Sequence, residues 1–432
     1  MDSRRFYAYA ALVVLVALGL REYFVTFAEV VSPFQGDASA YMLYVRHMLE
    51  DGVFGMYGTP DAFRGPGYPV FIAAFVKSVG PIGWYHPIQH AQALLGTATV
   101  ALTILLAREW LSRGWALAAG AVMAFQPHHI VASAFLLSEV LFGFLVVLAL
   151  LLTALALRKR SLPLAALAGA VYGLGYLVNP VVALFPFALA VVFWRRGMGR
   201  AGGVLLLVSL LAVGGWSVRN RVSHAHGDDR AAINFVQGSW PLYHNAANNH
   251  SLYPAAQRYY DGINAEIELI RRNPKAGLAR VLTRLRSEPT TYAQWYLSKV
   301  YLLWDWDIRI GSGGLYTQSV DKSPLERNPT LRAAVTAQRW LNPLLFVLAA
   351  AFALAIRRGP ALVPALFVLY VTAVYTILQA EPRYSIPFRS VEILLAVGAL
   401  AWCRERVVVR RVVNKQLAAA GADCLGNDRR AT

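Results

Sequence analysis

The stretch SEVLFGFLVVLALLLTALALRKRS, residues 138–161, indicates the class of fold. After Glu139 it is apolar almost without interruption as far as Arg158, close to the ~20 residues that a helix needs to cross a bilayer. Three basic residues, Arg158, Lys159 and Arg160, follow the apolar run. Because Lys and Arg collect in the cytoplasmic loops of membrane proteins, the stretch predicts a membrane-spanning helix. Its basic end is expected in the cytoplasm, and Glu139 near the outer surface.

The whole chain has the composition of a multi-pass membrane protein. Of its 432 residues, 57% are hydrophobic and only 15% are charged, whereas soluble domains have about 25% charged residues. The net charge of +17 raises the alternative of a nucleic-acid-binding protein. Since the basic residues alternate with apolar runs and form no continuous patch, we interpret them as topological and expect no nucleic-acid partner. Cys403 and Cys424 predict neither a disulfide framework nor a metal site.

Apolar runs recur along the chain and predict about ten spans. The first is expected to be retained rather than cleaved as a signal peptide, because no convincing small-residue cleavage site precedes Arg21. The piece at 67–80 is too short to cross and is expected to lie at the membrane interface. The predicted spans are residues 6–27, 87–107, 114–132, 134–157, 162–179, 181–194, 201–218, 340–356, 360–378 and 385–403.

The connections between these spans alternate in charge. If the N-terminus lies in the cytoplasm, every second connection is basic, as the positive-inside rule requires. These basic connections contain Arg108 and Arg113, residues 157–161, residues 194–200, Arg357 and Arg358, and the tail from 404. The pattern predicts an all-α polytopic membrane protein whose two termini are cytoplasmic.

Two long segments are then left on the outer side. The predicted organisation is an N-terminal transmembrane region, 1–218, which includes a first outer loop at 28–86. A largely helical outer loop, 219–339, follows, because its amphipathic stretches are too polar to span. The C-terminal spans, 340–403, and a basic cytoplasmic tail, 404–432, complete the chain.

The first outer loop contains Asp37 in the stretch GDASAYMLYVRHMLEDG, residues 36–52. One interpretation is that Asp37 is the N-cap of a helix that closes at Gly52. Another is that Asp37 is a functional carboxylate facing a cavity at the level of the membrane surface. The two interpretations are compatible.

Arg64 and Tyr68 lie further along this loop in DAFRGPGYPVFIAAF, residues 61–75. The glycines and prolines predict a turn that starts the interfacial helix. Arg64 and Tyr68 are also candidate donors to a phosphate or a sugar at the membrane edge.

Three ionisable residues fall near the outer ends of two predicted spans. His128 and His129 invite a zinc hypothesis, but adjacent histidines point apart and no partner residues stand at metal-ligand spacing. Glu139 lies inside an apolar run, where an ionisable residue is functional or paired.

Arginines also appear at the outer ends of later spans, against the positive-inside rule. Arg219 follows a span directly, and a lipid phosphate or the nearby Asp228 would compensate its charge. Glu381, Arg383 and Tyr384 sit at the outer mouth of the last span. An internal Glu–Arg pair or an anionic ligand would explain that group.

Seven stretches, in order, resemble motifs of the bacterial GT-C glycosyltransferases related to protein O-mannosyltransferases and to the lipid A aminoarabinose transferase. The chain departs from those motifs at Gly36, where a second acid is frequent, and at Asn179, where an arginine is common. The seven stretches are residues 36–54, 62–75, 135–152, 173–191, 214–220, 268–286 and 381–388.

The resemblance implies a GT-C helix bundle and an inverting transfer of sugar from a polyprenyl-phosphate donor to a lipid, glycan or protein hydroxyl. Asp37 would be the general base and Glu139 a second acid of the site. Arg64, Arg219 and Arg383 would stabilise the leaving phosphate, and Tyr68 and Tyr384 would join them in binding the donor.

The resemblance further implies a bacterial inner-membrane enzyme with an extracytoplasmic active site and no obligatory metal or other cofactor. Two alternatives remain, a transporter or flippase for a lipid-linked sugar and a non-catalytic assembly subunit. Because the sequence shows no internal repeat of the kind common in transporters and has a long outer loop, the enzyme is favoured.

Overall fold

The structure is a computed structural model that describes residues 1–227, 230–309, 313–316 and 318–407. It is 76% helical with almost no sheet, which confirms the predicted all-α class. Asp228, Cys424 and the predicted tail beyond residue 407 lie outside the described residues. The helices are α1 Ser3–Phe27, α2 Asp37–Glu50, α3 Gly67–Val79, α4 Tyr85–Ala107, α5 Arg113–Ala124, α6 Pro127–Ala132, α7 Glu139–Lys159, α8 Leu162–Val178, α9 Phe185–Arg195, α10 Gly199–Val222, α11 Arg230–Gly238, α12 Tyr243–Asn249, α13 Pro254–Arg272, α14 Pro274–Ser287, α15 Pro289–Leu303, α16 Pro324–Arg327, α17 Pro329–Ala355, α18 Leu362–Ile377 and α19 Pro382–Val407.

Within the described part of the chain, six helices are long and apolar enough to cross a membrane, namely α1, α4, α7, α10, α17 and α19. Shorter apolar helices are α3, α8, α18 and the segment Pro180–Arg195, which contains α9. The chain is an integral, multi-pass membrane protein, and the count of about ten spans stays a prediction. The predicted span 114–132 is divided, because α5 ends at Ala124 and Pro127, which lacks a backbone N–H, begins the short α6.

Helix α7 forms the centre of the bundle, where it contacts α4, α8, α18 and the first turns of α19. It is apolar on nearly all its faces, as expected of a helix surrounded by others, and most of its side chains are buried. Helix α8 packs closely on α10 because Gly169 has no side chain. A Cβ atom at this glycine would stand 2.4 Å from the backbone oxygen of Leu205.

The first outer loop is held between the membrane bundle and the large outer loop. Strand β1, Glu29–Val30, pairs antiparallel with β2, Val320–Asp321. Helices α2 and α3 bury Tyr41, Tyr68 and Ile72 against one another and against the start of α4. This packing fixes the loop on the end of the bundle where α7 begins.

The large outer loop is a small helical unit, as its amphipathic sequence predicts. Proline opens α13, α14 and α15, a position where its missing N–H costs no hydrogen bond. Glu266 and Arg284 form a partly buried ion pair of 2.8 Å between α13 and α14. Around it, the apolar core contains Ile233, Val236, Ile263, Ile267 and Val281. Helices α10 and α17 run across the predicted boundaries at 219 and 339, so this division of the chain stays a prediction.

The two ends of the bundle differ in their charges. At the end where α7 finishes, the Nη2 atom of Arg160 donates to the Gly197 oxygen (3.3 Å), and the Nη2 atom of Arg196 donates to the Gly359 oxygen (3.0 Å). We call this the basic end. Glu139 begins α7 at the opposite end, about 30 Å away for a helix of this length.

Candidate active site

Asp37 lies in the first turn of α2, and both of its carboxylate oxygens accept hydrogen bonds from arginines. The Nη2 atom of Arg64 donates to Oδ1, and the Nη2 atom of Arg383 donates to Oδ2 at 2.6 Å. The N-cap interpretation is wrong, because Gly36 occupies the cap position and no side-chain capping bond forms. The carboxylate is therefore oriented by the arginines, and 23% of its side chain is exposed.

Arg64 reaches Asp37 because its loop approaches the end of α8 unusually closely. A Cβ atom at Gly65 would stand 2.3 Å from the Leu177 oxygen, and at Gly67 it would meet the side chain of Val178 at 2.6 Å. The guanidinium then lies over the Tyr41 ring, 5.2 Å from its centre. The two glycines of the GPG turn thus place a cation beside the carboxylate.

Arg383 joins Asp37 to Glu139. Its Nε atom is 3.4 Å from the Oε1 atom of Glu139, while its Nη2 atom binds Asp37. Glu139 is the first residue of α7, and Arg383 lies in the opening 3₁₀ turns of α19, Pro382–Phe388. Four of the residues predicted from sequence therefore meet, namely Asp37, Arg64, Glu139 and Arg383. We call them the acid–arginine cluster.

The cluster holds Asp37 in its ionised form. Burial alone would raise the pKa of this carboxyl, but Arg383 and Arg64 outweigh burial and hold it far below its usual range. The pKa of Arg64 is raised although burial opposes this, through its electrostatic interactions with Tyr41 and Asp37 and the hydrogen bond to Asp37. A charged acid and two charged arginines therefore share a site that is mostly shielded from water.

The other predicted donors lie around the cluster without touching Asp37. Tyr68 is fully buried, donates to the Oε1 atom of Gln92 (2.9 Å) and packs edge-on against Tyr41, beneath Arg64. Tyr384 stacks on Tyr375, and its ring lies 5.8 Å from the guanidinium of Arg383. Tyr68 thus supports the ring on which Arg64 rests, and Tyr384 borders Arg383.

The structure does not bring Arg219 into the cluster. Its Nη1 atom donates to the Asp61 oxygen (2.8 Å), and its Nη2 atom donates to the Phe54 oxygen (2.6 Å). The guanidinium also lies 4.9 Å from the centre of the Trp216 ring. Arg219 therefore fastens the backbone of the first outer loop to the end of α10.

Arg230 and Asp307 belong near the cluster and escaped the sequence analysis. Arg230 donates to the Phe63 oxygen at 3.1 Å, and burial and the charge of Arg64 lower its pKa. Asp307 is 3% exposed, and burial raises its pKa to about 7. Its Oδ2 atom has no hydrogen-bond partner among the described residues. Arg230 begins α11 and Asp307 follows the turn after α15, so no periodic pattern singled them out.

Two polar contacts fix the large outer loop beside the acid–arginine cluster. Lys299 donates to the Gly238 oxygen (3.0 Å) and the Leu378 oxygen (2.6 Å), which joins α15 to α11 and α18. His244 lies 2.9 Å from Glu381, two residues before Arg383. This contact lowers the pKa of Glu381, although burial acts in the opposite direction. The loop is thereby positioned beside the arginine that binds Asp37.

Across the residues that the structure describes, no group of three or more His, Cys, Asp or Glu side chains is arranged to hold a metal ion. The backbone N–H of Asp307 donates to the Nε2 atom of His128 (3.1 Å). His128 also packs against Trp306, so this ring has a structural role. The expectation that the chain needs no metal stays a prediction.

Comparisons with known proteins agree with this architecture. A family model described as dolichyl-phosphate-mannose-protein mannosyltransferase matches residues 64–216, which is less than half of the chain. The match includes Arg64 and Glu139. A search of curated protein sequences found no match.

Solved structures share the fold at low sequence identity. ArnT from Cupriavidus metallidurans bound to undecaprenyl phosphate has a TM-score of 0.51 and 15% identity over 95% of this chain and 64% of its own. The apo state of ArnT has a TM-score of 0.51 and 15% identity over 96% of this chain and 63% of its own. An oligosaccharyltransferase from Archaeoglobus fulgidus, tethered to an acceptor peptide, has a TM-score of 0.51 and 13% identity over 95% of this chain and 51% of its own. The chain spans a little under two thirds of the length of ArnT, and these likenesses establish the fold alone.

Proposed function

We propose that this chain is an inverting membrane glycosyltransferase of the GT-C superfamily, a proposal that its fold and its partial family match support. Its donor is a polyprenyl-phosphate-linked sugar, and its acceptor is a hydroxyl group of an envelope lipid, glycan or protein. The observation that carries the proposal is the carboxylate of Asp37 between Arg64 and Arg383. This group combines a proton acceptor with two phosphate-binding cations.

The reaction assigns a separate task to each group. The acceptor oxygen attacks the anomeric carbon and passes its proton to Asp37, and the bond between that carbon and the phosphate oxygen breaks. The electron pair leaves with the polyprenyl phosphate, whose growing charge the arginines stabilise. Arg64 suits this task because its Nε atom is a buried donor that has no partner among the described residues.

Donor binding would also raise the base strength of Asp37. Two arginines lower the pKa of Asp37 so far that the resting carboxylate is a weak general base, and base catalysis works best when the pKa lies near the operating pH. A donor phosphate that takes hydrogen bonds from Arg64 and Arg383 removes part of their attraction for Asp37. The pKa of Asp37 then rises, so the base gains strength only when the donor is in place.

Glu139 keeps Arg383 in position during this exchange. Its carboxylate lies 3.4 Å from the Nε atom, whereas Asp37 pairs with the Nη2 atom of the same guanidinium. When the phosphate draws Nη2 from Asp37, the ion pair between Nε and Glu139 still holds the guanidinium near α7. We therefore assign Glu139 to positioning Arg383 and to orienting the acceptor.

The proposed setting is the outer face of a bacterial inner membrane, with both termini in the cytoplasm. The basic connections at the opposite end of the bundle support this orientation. A lipid-linked donor would then bring its phosphate to the membrane surface, beside Asp37. The chemistry of the arginines requires a phosphate but does not select the sugar.

The test is Asp37→Asn in the full chain, with transfer and donor-lipid binding measured separately. Transfer from a panel of polyprenyl-phosphate sugars is expected to fall at least 100-fold, because general-base catalysis contributes about 10²–10⁴-fold. Binding of undecaprenyl phosphate should persist, since the arginines remain. The matched control is Asp51→Asn, at the exposed end of the same helix, where the carboxylate pairs with His47.

Each alternative outcome has a defined meaning. Retained transfer by Asp37→Asn, at the level of the Asp51→Asn control, would sink the assignment of the base. Lipid binding by the unaltered chain without transfer from any donor in the panel would instead support a transporter or an assembly subunit.

A further inference from the structure

A cleft opens between α9, α17 and α18 at the basic end, about 30 Å from the acid–arginine cluster for a bundle of this length. Its volume is about 1150 Å³. Apolar side chains such as Val192, Leu366 and Leu369 form its walls, and four arginines surround one end. The cleft is therefore amphipathic, with an apolar body and a cationic mouth.

The four arginines come from two connections that meet at this end. Arg195 and Arg196 close α9, and Arg357 and Arg358 lie between α17 and α18. Arg196 and Arg357 each donate to a backbone oxygen. Within the described residues, Arg195 and Arg358 form neither a hydrogen bond nor an ion pair, and no acidic residue lines the cleft.

We propose that this cleft binds an anionic phospholipid, with its acyl chains along the apolar walls and its phosphate headgroup between Arg195 and Arg358. Guanidinium groups bind phosphate oxygens through paired, charge-assisted hydrogen bonds. Basic pockets between transmembrane helices are typical sites for anionic headgroups. A zwitterionic lipid would fill the walls equally well, but its own ammonium group would oppose four uncompensated cations.

The positive-inside rule explains why arginines lie at this end but not why they surround a cleft. Arg4 and Arg200 are exposed basic residues that line no part of it. These two residues give a matched comparison, because changing them removes the same charge as changing Arg195 and Arg358.

The experiment measures phospholipid binding to the purified, delipidated full chain by native mass spectrometry. Dioleoyl phosphatidylglycerol and dioleoyl phosphatidylcholine are the probes. The unaltered chain is expected to bind phosphatidylglycerol at least tenfold more tightly. The double variant Arg195→Gln/Arg358→Gln should lose roughly 20- to 30-fold of that affinity, at roughly fivefold per arginine, and should bind phosphatidylcholine unchanged.

Two further variants keep the test decisive. Arg195→Lys/Arg358→Lys retains both charges and should keep most of the affinity, which distinguishes headgroup binding from a folding defect. Leu369→Trp fills the apolar wall without changing charge and should weaken binding of phosphatidylglycerol.

The control Arg4→Gln/Arg200→Gln should bind like the unaltered chain. Equal affinity for the two lipids, or an equal loss in this control, would overturn the proposal. A stable dimer of the unaltered chain that excludes lipid would overturn it as well, because a second copy would then cover the cleft.

Discussion

Asp307 shows how one buried carboxyl group links pH to stability. Its pKa is raised to about 7, above the value near 3.9 expected in an unfolded chain. The charges of Arg383 and Arg389 lower this pKa, those of Glu381 and Glu139 raise it, and burial is the largest effect. The folded state therefore binds a proton that the unfolded state has already released between about pH 4 and pH 7. Stability is full below that window and falls as the pH rises through it.

We expect Asp307→Asn to remove this loss, because the amide carries no charge to desolvate. Relative to the unaltered chain, the variant should gain roughly 2–3 kcal/mol more stability at pH 8 than at pH 5. Thermal unfolding of the detergent-solubilised chain at both pH values measures the difference. The exposed Asp261→Asn on α13 is the control and should show no such change. A gain that is equal at both pH values would contradict the raised pKa.

The sequence predicted some residues of the site better than others, for physical reasons. Glu139 and Arg383 were conspicuous because a charge at the end of an apolar run needs a partner or a function, whereas Asp37 was singled out by its place in the first outer loop and by the family resemblance. Arg219 met the same criterion, but its partners proved to be the backbone oxygens of Phe54 and Asp61. A sequence does not show whether an arginine binds backbone or a carboxylate. The raised pKa of Asp307 results from its burial by segments distant in sequence, which the sequence alone does not reveal.

At the scale of elements, the contact between the first outer loop and α8 decides whether Arg64 can reach Asp37. We expect Gly65→Ala to disrupt this contact, because the added Cβ atom would lie 2.3 Å from the backbone oxygen of Leu177. The loop would have to move away from α8 and carry Arg64 with it. Sugar transfer and undecaprenyl-phosphate binding should each fall at least tenfold, with a stability loss of about 1–3 kcal/mol.

The matched control is Gly203→Ala in α10, where an added Cβ atom meets nothing within 4 Å. This variant should leave transfer unchanged and gain up to about 1 kcal/mol from helix propensity. Normal transfer and stability in Gly65→Ala would show that the close approach is not needed to place Arg64.

Hydrophobic length predicted the long helices well and the short ones poorly. Helices α1, α4, α7 and α10 lie close to the predicted spans, since an apolar run of about 20 residues has few other stable conformations in a membrane. The span at 114–132 was predicted as continuous although Pro127 stands inside it, and the structure breaks there. Average hydropathy does not register the single missing hydrogen-bond donor that ends a helix.

At the scale of the whole molecule, the distribution of charge over the two ends of the bundle sets the predicted orientation. The basic end contains arginines that bind backbone oxygens or remain unpaired, such as Arg160, Arg196 and Arg358. At the other end, Arg64 and Arg383 are neutralised by Asp37 and by Glu139. The predicted orientation therefore depends on the short basic connections at the basic end, which are the segments that the positive-inside rule counts.

We therefore expect Asp37 and the large outer loop to lie outside the cytoplasm, and single cysteines can test this orientation. In a background with Cys403→Ser and Cys424→Ser, Ser251→Cys marks the outer loop and Ser112→Cys marks the basic end, and both serines are exposed. A membrane-impermeant maleimide added to sealed right-side-out vesicles should label Ser251→Cys. It should label Ser112→Cys only after the vesicles are permeabilised. The reverse pattern would place Asp37 in the cytoplasm, where the proposed donor phosphate would have to approach from the other leaflet.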